Sequence, residues 1–368
     1  VMCCAPTGSG KTIIFTYLSK WFSEEGKKIL ILTHRKELLK QSSGAFNKFN
    51  VDAHSLTAET RIVPSGDIVV GMVETLYRRL ENKAEYIEFI NSIDIVIIDE
   101  AHTGQFDKLF KHFSSVDVVL GFSATPYRRN PKTPLSTFYN AIVNGPSVQE
   151  LIDLGFLSKA LVFGQRIDMS NIGVRNGEYR AEDQEVEFEA QGLYGSLLKQ
   201  WQKLVPGRKT LVFAPTVASS IIIKNMFQLK GIHSAHVDAL TPKAERNYIF
   251  EDFKRGDTTL LTNQGITNLG FDEPTIEVVV LFRVTKSLPL YLQMIGRGSR
   301  VIEGLKDTFT ILDFGNNSSR FGFYEDEREW SLENDTTTFK KETTMTKECP
   351  ACEAIVIIGT IECPNCGY

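Results

Sequence analysis

The sequence predicts an α/β chain: two tandem parallel-sheet domains followed by a small cysteine-rich tail. Three observations lead there. Short β-branched apolar runs alternate with amphipathic stretches, the alternation occurs twice, and four of the six cysteines crowd into the last twenty residues.

The first set of runs is Val1–Ala5, Ile29–Thr33, Asp67–Gly71, Asp94–Ile98 and Val118–Phe122. Continuous apolar runs of this length read as strands buried on both faces. Helical candidates such as Thr12–Phe22 and Glu37–Phe49 separate them, which makes each unit β-α-β and the sheet parallel. The second set is Leu211–Ala214, Ser234–Val237, Thr259–Thr262, Val278–Phe282 and Phe309–Leu312. Between the sets lie a helix-like segment, Val148–Leu154, a strand, Ala160–Phe163, and a polar, acidic stretch reaching Gln191. The domain boundary is expected near Pro146, giving domains over 1–146 and 147–324. Residues 325–347, acidic and then threonine-rich without periodicity, read as a linker, and 348–368 as the tail. Val1 is not an initiator methionine and a strand is already under way there, so the chain is expected to lack an N-terminal segment.

A chain of 368 residues with 42% hydrophobic and 23% charged residues is ordinary for a globular protein, which excludes wholesale disorder and collagen-like or coiled-coil character. The net charge of −4 means that any nucleic-acid contact must come from a local basic surface or from backbone amides. No apolar run approaches the roughly 20 residues that cross a bilayer, and no signal segment leads the chain, so a cytoplasmic location is expected.

The opening strand runs into Ala5-Pro6-Thr7-Gly8-Ser9-Gly10-Lys11-Thr12, with a helix behind it. Glycines let backbone amides curl around anionic oxygens, and the helix N-terminus adds positive potential. Lys11 can reach β/γ-phosphates and Thr12 can hold Mg²⁺. Ala5 stands where the strict pattern has glycine. A second strand, Ile95–Ile98, ends in Asp99-Glu100-Ala101-His102. There Asp99 would orient Mg²⁺ and Glu100 could take a proton from an attacking water. In the second domain Gly296-Arg297-Gly298-Ser299-Arg300 supplies two arginines three apart, on one face if the segment is helical. The tail holds Cys349-Pro350-Ala351-Cys352 and, ten residues on, Cys363-Pro364-Asn365-Cys366. Two such thiolate pairs make a tetrahedral zinc site, a disulfide pair or an iron–sulfur cluster being the alternatives. A module this small cannot build its own core, so a metal would supply its folding energy. Cys3 and Cys4 read as strand filling.

These motifs, with Ser123-Ala124-Thr125 and Gln293-Met294-Ile295, together resemble superfamily 2 helicases of the DEAD/DEAH type over nearly the whole chain. Thr33–Leu38, Gly145-Pro146-Ser147, Ile311-Leu312-Asp313-Phe314-Gly315 and the four cysteines resemble, more narrowly, the bacterial and phage RadD (YejH)-like DNA repair helicases. The resemblance implies two RecA-like domains and a zinc ribbon, with ATP and Mg²⁺ as the energy source. It assigns ATP binding to Thr7, Gly8, Ser9, Gly10, Lys11, Thr12 and Asp99, and nucleotide response to Gly270 and Asp272, where Leu269 replaces the usual glutamate. Glu100, Lys11, Gln293, Arg297 and Arg300 become the catalytic set, and His102, Ser123 and Thr125 the coupling set. It assigns nucleic-acid contact to Thr33, His34, Arg35, Thr75, Arg78, Pro215, Thr216, Thr262 and Asn263, short polar or cationic groups suited to backbone phosphates. DNA is the expected partner, in a bacterial or phage-infected cell at the nucleoid, with a protein contact through the ribbon. The glutamine that such motors use upstream of the phosphate loop to read adenine has no counterpart here. A duplex translocase and a nucleotide-switched clamp are the competing functions.

Overall fold

The computed structural model describes residues 1–34, 46, 49, 51–128, 132–265, 273–333 and 346–368. Two compact units emerge: Val1–Ser147 with Arg328–Thr338, and Val148–Glu327 with Phe339–Tyr368.

The first unit comprises β1 (Met2–Cys4), α1 (Lys11–Glu24), β2 (Ile29–Thr33), β3 (His54–Leu56), β4 (Ile68–Met72), α2 (Val73–Asn82), α3 (Ala84–Asn91), β5 (Ile95–Asp99), β6 (Val118–Ser123) and β7 (Ile142–Asn144). The strands form one sheet in the order β3-β4-β2-β5-β6-β1-β7, every pairing parallel. Burial explains why the runs are apolar throughout. Leu30, Leu32, Val69, Val96 and Ile98 face one core, while Ile29, Ile31, Ile68, Val70, Ile95 and Ile97 face another with Phe15 of α1. Alternate residues thus serve opposite layers, and neither parity can be polar. Leu332 packs against the first of these cores, and its carbonyl accepts from the Ser136 N–H at 3.0 Å. The expected helix over Glu37–Phe49 falls mostly outside the described residues. Sequence reading missed β3 and β7, three-residue strands too short to carry a pattern.

The second unit comprises α4 (Val148–Asp153), β8 (Lys159–Gly164), β9 (Val174–Arg175), β10 (Glu178–Tyr179), α5 (Ala181–Ala190), α6 (Leu193–Leu204), β11 (Thr210–Phe213), α7 (Val217–Gln228), β12 (Ser234–Val237), α8 (Lys243–Arg255), β13 (Leu260–Asn263), β14 (Val278–Leu281), α9 (Leu288–Ile295), β15 (Thr308–Asp313), α10 (Asn317–Phe321), β16 (Thr346–Glu348) and β17 (Ile355–Ile357). Six strands form a parallel sheet, β12-β13-β11-β14-β15-β8, and two antiparallel hairpins, β9–β10 and β16–β17, stand apart from it. The chain is therefore two parallel α/β lobes with a terminal four-cysteine module.

Candidate nucleotide and nucleic-acid site

The phosphate-loop sequence lies between β1 and α1 at the C-terminal edge of the first sheet, where open α/β sheets bind ligands. Gly8 and Gly10 take φ of 94° and 83°, a left-handed conformation that a side chain would strain, and this curls the loop. Gly10 caps α1 without a side-chain bond, and the first turn of α1 carries no acid, so the helix N-terminus keeps its positive potential for an anion. Lys11 Nζ folds back to donate to the Ala5 and Pro6 carbonyls, each at 3.1 Å, and Ser9 Oγ donates to Pro6 O at 2.8 Å.

Strand β6 lies between β1 and β5, so Ser123 stands between the loop and the acidic motif; the Ala5 N–H donates to Ser123 O at 3.0 Å. Asp99 is buried, and its Oδ1 accepts from the Glu100 N–H at 3.0 Å. Glu100 itself sits at φ 52°, a left-handed backbone that a glutamate adopts only when its surroundings impose it. Its Oε2 lies 3.4 Å from His102 Nδ1, which lies 2.8 Å from Ser123 Oγ, and Ser123 Oγ accepts from the Thr125 N–H at 3.0 Å. His102, Ser123 and Thr125 are hydrogen-bonded in series, and the Glu100 carboxylate lies at ion-pair distance from the same His102 nitrogen. Thr125 Oγ1 is buried with no hydrogen-bond partner among the described residues.

Thr33 ends β2 and His34 follows it, and Thr75 and Arg78 lie on α2 just after β4, so all four stand on the same C-terminal edge, beyond β5. Thr33 is buried, Arg78 is exposed, and the His34 ring meets Phe106 edge-on at 6.1 Å. Arg35, Gly270 and Asp272 lie outside the described residues.

In the second lobe, Gln293 is half-buried on α9. That helix ends at Ile295; Arg297 lies in the turn behind it and Arg300 in a bridge to Leu157, so the shared helical face expected for the two arginines does not exist. The turn is fixed instead by backbone ties. The Ser158 N–H donates to Ser299 O and its hydroxyl to Arg300 O, both at 2.8 Å. A Cβ on Gly298 would come within 2.4 Å of the Phe309 ring, so only glycine permits this approach to the sheet. Thr216 caps α7 through the Ser219 N–H at 2.9 Å and donates to the Glu185 carboxylate; Pro215 precedes it. Thr262 Oγ1 donates inward to Ser220 O at 3.0 Å, and Asn263 Nδ2 to Val212 O at 2.8 Å, both side chains being fully buried. Those two hydroxyl and amide groups serve the lobe's interior.

The cysteine module has the geometry of a metal site. The Sγ atoms of Cys349, Cys352, Cys363 and Cys366 all lie within 4.8 Å of one another. Two pairs, Cys349–Cys366 and Cys352–Cys363, stand at 3.7 Å. That is far beyond the ~2.05 Å of a disulfide and matches the ~3.8 Å edge of a tetrahedron with Zn–S bonds of about 2.3 Å. Each Cys-Pro-x-Cys is followed by a left-handed residue, Glu353 at φ 65° and Gly367 at φ 71°. The thiols share their protons: burial pushes Cys363 up but the Asn365 and Cys366 amides and the neighbouring cysteines lower it to about 7, while Cys366, against the pull of the Tyr368 amide, is raised to about 12 by burial and by the same cysteines.

The family model for the type III restriction enzyme res subunit matches residues 1–128, and that for the helicase conserved C-terminal domain matches residues 193–301. A 51.5 kDa protein of a Lactococcus phage is 29% identical over 99% of this chain and 77% of its own length. The putative ATP-dependent helicase IRC3 of Saccharomyces cerevisiae is 32% identical over 84% of the chain and 47% of its own length. The chain is a superfamily 2 helicase. Among solved structures, the fragment of a putative HsdR subunit of a type I restriction enzyme from Vibrio vulnificus shares its fold, with a TM-score of 0.67 at 22% identity over 90% of this chain and 65% of that one. The helicase thus spans about half of the yeast relative.

Two features of the helicase escaped the sequence. Arg128 donates to His102 O at 3.1 Å and pairs with Asp107 at 2.7 Å, holding the segment after Glu100 from behind. Lys306, only 7% exposed, donates to Gly298 O at 2.6 Å and Pro274 O at 3.0 Å, beneath the arginine turn. Burial, with Arg300 nearby, lowers its pKa to about 8. Neither has a local signature, since each acts through backbone carbonyls distant in sequence. The module is also less independent than its length suggests: Cys349, Ala354, Val356 and Cys363 belong to the second lobe's own core, with Phe163 and Trp201.

Proposed function

We propose that this helicase core converts ATP hydrolysis into movement along nucleic acid, and that the nucleic acid is DNA. The observation that carries the reading is the line Glu100–His102–Ser123–Thr125, which sets a carboxylate suited to activate water beside a histidine hydrogen-bonded to the Ser123 hydroxyl at the end of β6. Thr7, Gly8, Ser9, Gly10 and Lys11 cradle the phosphates, with Lys11 exchanging its two carbonyl partners for phosphate oxygens. Mg²⁺ held by Thr12 and Asp99 would neutralise phosphate charge. Glu100 accepts the proton of the attacking water. Arg297, Arg300 and Gln293 are the second lobe's share of the catalytic set, the two arginines offering positive charge for phosphate. Thr33, His34, Thr75 and Arg78 take the strand's phosphates. Zn²⁺ in the four cysteines would be structural, because four thiolates leave no open coordination position. DNA is supported by the restriction-type family model over the first lobe and by the HsdR likeness. The RadD-like wording points to repair.

The same restriction-type matches favour a second reading, in which the motor pumps duplex without parting strands. A forked-duplex displacement assay run beside triplex displacement decides: strand release is expected, and triplex release without it would establish the translocase. ATP hydrolysis should rise with DNA. If no nucleic acid raises hydrolysis above a Glu100→Gln control, the protein is a nucleotide-switched clamp and the motor reading fails.

A further inference from the structure

We propose that the β9–β10 hairpin is a phosphate-contacting pin that grips a nucleic-acid strand and passes that contact to the helix leading to Arg297 and Arg300; the inference rests on the motor reading above. The hairpin is built for rigidity. Its turn is Asn176-Gly177, both left-handed at φ 52° and 72°, the pair favoured by the tightest two-residue hairpins. Its base is tied down where the Arg180 N–H donates to Gly173 O at 2.9 Å and the Gly173 N–H to Asp183 Oδ2 at 3.0 Å.

The hairpin's second strand is bolted to the loop between β14 and α9. The Glu178 carboxylate accepts from Thr285 Oγ1 at 2.8 Å and from the Lys286 N–H at 2.7 Å. Gln184, just beyond the hairpin, accepts from the Val284 N–H at 2.8 Å. The loop ends at Ser287, whose hydroxyl caps α9, the helix of Gln293. Any force on the hairpin is thus delivered to that helix through direct hydrogen bonds.

Its charge fits a phosphate backbone. The Tyr179 ring holds Lys286 Nζ at 5.1 Å and Arg320 Cζ at 4.9 Å from its centroid. Arg175 is exposed beside the turn, and among the described residues neither it nor Lys286 is paired with a carboxylate. Arg283 lies within the electrostatic reach of Glu178, and its buried Nε has no hydrogen-bond partner among the described residues. Three acids of neighbouring α5 are engaged elsewhere, Asp183 with Arg180 and Gly173, Glu185 with Thr216, and Glu187 with Asn171 and Gln191, while Glu182 and Glu189 are exposed on the same helix. Cations fixed on an aromatic, beside a stiff turn, track a backbone without reading sequence.

The test uses the full chain and fluorescein-labelled oligo-dT or oligo-rU, with anisotropy measured across a salt series. Arg175→Ala/Lys286→Ala should keep its melting temperature, bind on the order of tenfold more weakly, and lose about 1.4 from the log–log salt slope, two single-strand phosphate contacts. Glu178→Ala, which cuts the tie, should bind within about twofold of wild type yet lose about fivefold of strand-stimulated kcat. Affinity and slope unchanged in the double variant, with wild type binding normally, overturn the pin alone. Wild type that binds neither oligonucleotide overturns the pin and the motor reading together.

Discussion

The C-terminal edges of the two sheets are built alike and used differently. In the first lobe the edge is held under tension: a left-handed Glu100, a helix N-terminus with no side-chain cap, and a buried Thr125 hydroxyl with no hydrogen-bond partner among the described residues. In the second, Asn316 is also left-handed at φ 49° and Arg283 Nε and Asn263 Oδ1 lack hydrogen-bond partners among the described residues, but the polar side chains after β15 bind one loop to the next. Asp313, 2% exposed, accepts from the Gly315 N–H, Asn317 Nδ2, the Ser318 N–H and Ser318 Oγ at 2.7–3.0 Å. Asn317 Nδ2 in turn donates to Arg283 O at 2.8 Å, and its Oδ1 accepts from the Thr285 N–H at 3.2 Å. One edge stores strain for chemistry and the other spends its polar groups on stiffness. A parallel sheet thus offers the same place twice, and the side-chain bonds that tie loop to loop after β15 mark the second use.

The contrast breaks most visibly at Glu100. Glu100→Gln should lower kcat for ATP about 10³-fold, the loss of a general base, with folding intact. Glu100→Gly should lose as much activity while gaining roughly 1 kcal/mol of stability, because glycine accepts the left-handed backbone without strain. Steady-state ATPase assays and calorimetry read both. A Glu100→Gly protein no more stable than wild type would mean that the edge is not strained.

How much of this was legible follows from the same contrast. The strands were readable because both parities of a doubly buried strand must be apolar, so the runs at Ile29–Thr33 and Val278–Leu281 stand out in any reading. The phosphate loop and the four cysteines were readable because their chemistry needs fixed spacings. The line from Glu100 to Thr125 was not, since it depends on β6 falling between β5 and β1, a matter of strand order. The β9–β10 hairpin carried a signal, Asn176-Gly177, but its two-residue strands sit in an acidic stretch that hid them. The arginine turn misled because spacing of three suggests a helical face, whereas Lys306 and Ser158 hold that segment through backbone carbonyls. Arg297 and Arg300 are set by partners that no local pattern announces.

On the second edge the vulnerable residue is Asp313. Asp313→Ala removes four hydrogen bonds to a buried carboxylate and strands the amide and hydroxyl groups that made them, a loss of roughly 4 kcal/mol. The loss should fall on the second lobe's thermal transition. ATP affinity of the first lobe, measured by titration with a fluorescent analogue at low temperature, should not change. A first lobe equally destabilised would dissolve the division of labour between the edges.

A pH-dependent effect sharpens the comparison at Lys306, which stiffens the arginine turn at an electrostatic cost. Its pKa falls from 10.5 to about 8 on folding, mainly through burial. Below pH 8 the amine is charged in both states and the full cost of burying it is present. Between pH 8 and 10.5 the unfolded chain binds the extra proton, so stability rises with pH, and above 10.5 the gain is complete. Wild type should therefore gain roughly 3 kcal/mol relative to Lys306→Met across that window, read from urea unfolding at each pH. Lys306→Met keeps the apolar stem but leaves the Gly298 and Pro274 carbonyls without their donor, so the arginine turn loosens while the strained first edge keeps its own geometry. Parallel pH curves for the two proteins would show that Lys306 carries no buried charge and that the second edge is stiff for another reason.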